Sequence, residues 1–172
     1  MGRLTHLGFW SMSEGAGTRL PRMAAVLGGA VARREFRVAF QGQAESLWVL
    51  ASIGELRGSP YLSQLDLLVV DLSSDPQSKL AFVEGFNAAL DAGIVALLPP
   101  GLSDLRKTAL KSGVDHCLDL PACDDALKRV VNELWARVQD GRSQPESTTE
   151  AAPSAARKLA ERLARVGRHL SG

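Results

Sequence analysis

The chain has 172 residues, 45% of them hydrophobic and 23% charged, with a net charge of +1. That is enough for one domain with a sizeable core plus a tail, of ordinary soluble globular composition. Two cysteines, Cys117 and Cys123, have no companion cluster, which argues against a disulfide framework or a metal pair, so both are read as reduced thiols.

Taken in chain order, residues 7–11 are a candidate first strand, too short in its apolar run to be a signal peptide. A glycine-bearing loop at 12–19 follows, and then a helix over 20–34. Residues 36–41 read as a second strand and 44–57 as a helix, before Gly58-Ser59-Pro60 interrupts the chain. Residues 65–72 give the strongest strand signal, continuous and β-branched enough to be buried on both faces. A helix is predicted over 77–92, and a buried strand over 94–98 that stops at Pro99-Pro100. Next come a helix over 103–112 with Ser103 as its cap, and a weak strand over 116–120. A last helix starts at Asp124 or Asp125 and runs to about Val138.

Strand and helix alternate about five times. This predicts a doubly wound α/β fold, with a mostly parallel sheet of about five strands and helices on both faces. In such sheets ligands bind at the carboxyl ends of the strands, where the 12–19 loop and Asp71 are expected. The domain is expected over 1–139. Residues 140–154 lack apolar periodicity and read as a flexible linker. Residues 155–172 read as a basic amphipathic helical tail, with Leu159, Leu163, Val166 and Leu170 expected on one stripe. Arg157, Lys158, Arg162, Arg165 and Arg168 stand there against Glu161, a balance of +4.

The segment from Phe9 to Arg34, with Ser13-Glu14-Gly15-Ala16-Gly17-Thr18-Arg19 at its centre, resembles the opening of the ParA/MinD family of P-loop ATPases. Its CpaE/TadZ-like branch is the nearest in character. Leu-Leu-Val-Val-Asp-Leu at 67–72 resembles the Walker B strand of that family, with Asp71 as its carboxylate. On this resemblance Gly15 and Gly17 are the loop glycines that wrap phosphate without a Cβ clash. Ser13 stands at the signature lysine, Glu14 at a glycine, Thr18 at the phosphate-binding lysine and Arg19 at the Mg²⁺-binding threonine. Gln41 and Gln43 replace the switch aspartates.

Phosphoryl transfer depends on positioned charge and Mg²⁺, so the resemblance implies a non-catalytic adaptor. Its cofactor would be weakly bound ATP or ADP, or none, with no metal and no catalytic residue. A protein partner is implied, with a homodimer among the alternatives. The tail could contact a membrane surface, a partner groove, a nucleic acid or nothing, with nucleic acid the least favoured. The place expected is the cytoplasm, with peripheral contact at the inner membrane surface left open.

A second resemblance is to receiver-like signalling modules, which have a (βα)5 fold and a phosphorylated aspartate ending the third strand, where Asp71 falls. Gly113 to Pro121 resembles the stretch before their last helix. Leu120 takes the place of the lysine before Pro121, Leu98 that of the Ser/Thr on the fourth strand, and no acidic pair follows the first strand. This implies an interaction module that is not phosphorylated. A faint likeness of Asp71 and Glu84-Gly85 to nucleoside deoxyribosyltransferase-like sheets puts Val83 at the nucleophile position.

Overall fold

The computed structural model describes residues 19–122 and 124–143. Five strands alternate with five helices: β1 Arg22–Val26, α1 Ala30–Phe40, β2 Ser46–Leu50, α2 Ile53–Arg57, β3 Leu67–Asp71, α3 Pro76–Ala89, β4 Gly93–Leu98, α4 Ser103–Lys111, β5 His116–Asp119 and α5 Asp124–Ser143. All strand pairs are parallel, in the order β2-β1-β3-β4-β5. This is the doubly wound α/β architecture expected from the alternation.

The second half of the chain follows the sequence reading closely, whereas the first half is shifted. Residues 22–26, inside the predicted helix 20–34, form the interior strand β1, between β2 and β3. Residues 36–41, read as a strand, belong almost entirely to α1. The alanines that suggest a helix serve another purpose here, because Ala24 and Ala25 are fully buried, one against each layer of helices. Small side chains suit a strand crowded on both faces, and that tertiary demand overrides the low strand propensity of alanine.

The alternation Phe36, Val38, Phe40 imitates a strand. In fact Phe36 and Phe40 are one helical turn apart, their rings stacked at 4.5 Å between centroids, while Val38 faces outward with 68% exposure. Likewise, residues 44–57 are not one helix but the edge strand β2 and the short α2.

Two cores result, one on each face of the sheet. Ile53, Leu56, Leu80, Val83 and Phe86 of α2 and α3 pack with Ala109 of α4 on one face. Phe36 and Phe40 of α1 pack with Leu127, Val131 and Leu134 of α5 on the other. The close approach of α5 is visible at Gly93, where an added Cβ would lie 2.7 Å from Leu67 Cδ2 and 3.3 Å from Leu134 Cβ.

Helix ends show smaller departures. Ser103 is the first residue of α4 and not its cap, with no side-chain bond to the helix start. Asp75 caps α3 in a left-handed conformation (φ 45°), its carboxylate accepting from Ser78 N at 3.4 Å, with Pro76 at the first helical position. The last helix runs on to Ser143, past Val138.

The N-terminal edge of the sheet is fastened by Asp66, whose side chain is fully buried. Its Oδ2 accepts from Arg22 N at 2.8 Å, Arg22 Nε at 3.4 Å and Arg19 Nη2 at 3.2 Å. Asp115 does the same for the next strand, accepting from Ile94 N at 2.8 Å.

The helical reading of residues 36–40 has a direct test. Phe40→Ala should cost about 3–5 kcal/mol in urea unfolding by opening a core cavity. Val38→Ala should stay within about 0.5 kcal/mol, as surface changes do. Comparable losses at both positions would contradict the helix face described.

Candidate functional site

The site is built where the chain reverses its direction of travel across the sheet. From β1 the chain moves outward to β2, then returns past β1 to β3, so β1 and β3 diverge in connection at their carboxyl ends. Such a switch point opens a crevice above the sheet. Val26 pairs with Val70, which places the turn Leu27-Gly28-Gly29 beside Asp71.

Asp71 is half-buried and stands in the middle of this crevice. Its Oδ1 accepts from Ser73 N at 2.8 Å and from the Ser73 hydroxyl, and its Oδ2 lies 3.5 Å from Gly28 N. A Cβ at Gly28 would lie 3.8 Å from Asp71 Oδ2 and 3.7 Å from Ser74 Oγ, ordinary contact distances, so the β1–α1 turn packs directly against the carboxylate without requiring glycine there.

Lys79, on the first turns of α3, is only 7% exposed. Its Nζ donates to the main-chain oxygen of Asp71 at 2.6 Å and to Ser74 Oγ at 3.1 Å, tying the loop after β3 back to the helix that follows it. The other strand ends around the crevice carry no polar side chain next to Asp71. β4 ends in Leu98-Pro99-Pro100, and β5 is followed by Leu120-Pro121, joined by a cis peptide.

The predicted site residues fare differently. Ser13, Glu14, Gly15, Ala16, Gly17 and Thr18 lie outside the described residues, as do Leu159, Leu163, Val166 and Leu170 of the tail stripe. Arg19 is described, and it sits at the opposite edge of the sheet from Asp71. It binds Glu45 at 3.1 Å and Asp66 at 3.2 Å, and Gln139 donates to its carbonyl at 3.4 Å. The length of β1, roughly 16 Å at ~3.3 Å per residue, separates the two.

The structure therefore does not bring Arg19 and Asp71 together. Among the described residues, β1 begins after the 12–19 loop, and the turn facing Asp71 is 27–29. Among the same residues there is no group of three His, Cys, Asp or Glu side chains suited to a metal, and no helix long and apolar enough to cross a membrane.

Lys79 was not singled out by sequence. The available signal was Asp75-Pro76, a cap followed by a first-turn proline, which places residue 79 on the face that turns back toward the end of β3.

No protein-family model matches the chain, and no curated protein matches its sequence. Solved structures do resemble it. The receiver domain of the TMAO respiratory system response regulator TorR superposes with a TM-score of 0.64 at 19% identity, over 69% of this chain and 98% of that one. A response regulator receiver domain protein from Clostridium thermocellum gives 0.62 at 15% identity, over 70% and 98%. A CheY-like protein (tadZ) from Pseudomonas aeruginosa PAO1 gives 0.56 at 20% identity, over 66% and 98%.

The fold is thus that of receiver domains. This overturns the reading of the chain as a ParA/MinD P-loop ATPase of the CpaE/TadZ-like branch and as a nucleotide-binding pseudo-ATPase, since the tadZ structure it resembles is itself CheY-like. The alanine-rich segment that suggested the helix after a P-loop holds an interior strand, β1, of a receiver-type sheet.

At the far side of the sheet, burial pushes the Cys117 thiol up from its ordinary value, against the pull of the Arg106 cation and with a further push from Asp119. The thiolate is the reactive form. In a Cys123→Ser chain, alkylation of Cys117 at pH 8 should be slower than that of free cysteine and should rise with pH. A rate equal to free cysteine would contradict the burial assigned to it.

Proposed function

We propose that this chain is a receiver-like interaction module that works without aspartyl phosphorylation, binding a protein partner in a signalling or assembly system. The observation that carries this reading is the company of Asp71. The carboxylate that ends β3 faces Gly28 N and Ser73, with Leu27, Gly28 and Gly29 where a metal-binding acidic pair would have to stand.

Transfer of a phosphoryl group to a carboxylate needs Mg²⁺ and cationic stabilisation of the transferring oxygens. One carboxylate already accepting three hydrogen bonds makes a poor Mg²⁺ site, since that ion asks for near-octahedral oxygen ligation. On the opposite wall, Leu120 occupies the position from which a lysine could reach the phosphoryl group, and Leu98 offers no hydroxyl. The receiver fold of the similar structures supports the scaffold, and the altered residues support the loss of the switch.

The reading is tested by incubating the chain with acetyl phosphate and Mg²⁺ and measuring its intact mass. No phosphoryl adduct is expected, and Asp71→Asn should leave partner binding unchanged. A stoichiometric adduct mapped to Asp71 would overturn the proposal.

A further inference from the structure

Beside the Asp71 crevice, a cavity of about 340 Å³ opens between α2 and the start of α3. Its lining residues include Ser52, Ser74 and Ser78, the acidic Asp75, and the cationic Arg57 and Lys79. Both cations lack a counter-charge: among the described residues no carboxylate oxygen lies within 4.0 Å of either. For Arg57 this is unremarkable on an exposed helix end, where its guanidinium rests 5.5 Å from the centre of the Phe82 ring.

For Lys79 the matter is different. Its side chain is more than nine-tenths buried, and only neutral oxygens, Asp71 O and Ser74 Oγ, accept from it. A buried ammonium is costly unless an anion stands close to it. Asp75, the acid on this wall, has its carboxylate turned to cap Ser78 N, and the nearby Glu55 is committed to Ser52 Oγ and Ala51 N.

We propose that this cavity binds a small phosphate monoester or inorganic phosphate, with Lys79 and Arg57 as its cationic contacts and the Ser74 and Ser78 hydroxyls as additional donors. An ammonium point charge, a planar guanidinium fork and hydroxyls suit the several oxygens of a tetrahedral oxyanion better than the two of a carboxylate. The site lies outside the Asp71 carboxylate and involves no covalent step, so it goes beyond the interaction-module reading and does not depend on it.

The test is calorimetric titration of the full chain with sodium phosphate and with glycerol phosphate, against chloride at matched ionic strength. Saturable binding of one equivalent is expected, weakened about tenfold or more in Arg57→Gln and in Lys79→Met, since each removes a charge-assisted contact. Arg57 is exposed, so its variant should fold whatever becomes of Lys79→Met. Asp71→Asn should bind as the parent does, which keeps this result separate from the phosphorylation test. No saturable heat with either phosphate, or affinity unchanged in Arg57→Gln, would overturn the proposal. Tighter binding of glycerol phosphate than of the bare ion would identify the organic ester as the ligand class.

Discussion

The pairing of β1 with β3 fixes the position of nearly every group at the functional edge. Both strands are buried on both faces, so a slip of one residue would turn Ala24 and Ala25, or Leu68 and Val69, into the wrong layer of helices. The register that brings Val26 opposite Val70 also brings Gly28 to Asp71. At the other end the same register is held by Asp66, which takes the main-chain N–H and the guanidinium of Arg22. One strand pair is thereby clamped at both ends, by a buried charge network below and by a close backbone–carboxylate contact above.

The consequence for chemistry is a crevice with a carboxylate and few of the partners a phosphoryl transfer would require. Asp71 accepts from N–H and hydroxyl donors, which occupy its oxygens and do not build a metal site. Lys79 strengthens this arrangement by holding the carbonyl of Asp71 and the hydroxyl of Ser74, so that the loop after β3 is braced from α3.

The displacement of the first half of the chain shows how local signals compete with packing. Residues 20–34 are rich in alanine, and alanine has the highest helix propensity. An interior position in a five-stranded parallel sheet, however, demands small or branched side chains on both faces at once. Residues 36–40 present the opposite case, because a two-residue alternation of apolar side chains over so short a span also satisfies one turn of helix. With β1 at 22–26, the helix that the P-loop resemblance expects after the glycines at 15 and 17 is absent from residues 20–29.

By itself the sequence determined the alternation of strands and helices, the five-stranded doubly wound class, and Asp71 as the carboxylate closing a buried strand. These follow from long apolar runs and helix periods, which report burial directly. It also showed which polar groups were missing, since Leu98 and Leu120 can be read without coordinates. Only the tertiary structure decided that β1 lies at 22–26, that Arg19 and Asp71 stand at opposite edges, and that Lys79 is buried beneath Ser74 and Asp71 without a counter-charge among the described residues. Those facts depend on register and on which helix covers which face, and both are settled by contacts between residues some 40 positions apart, as Met23 and Leu67 or Val26 and Val70 are.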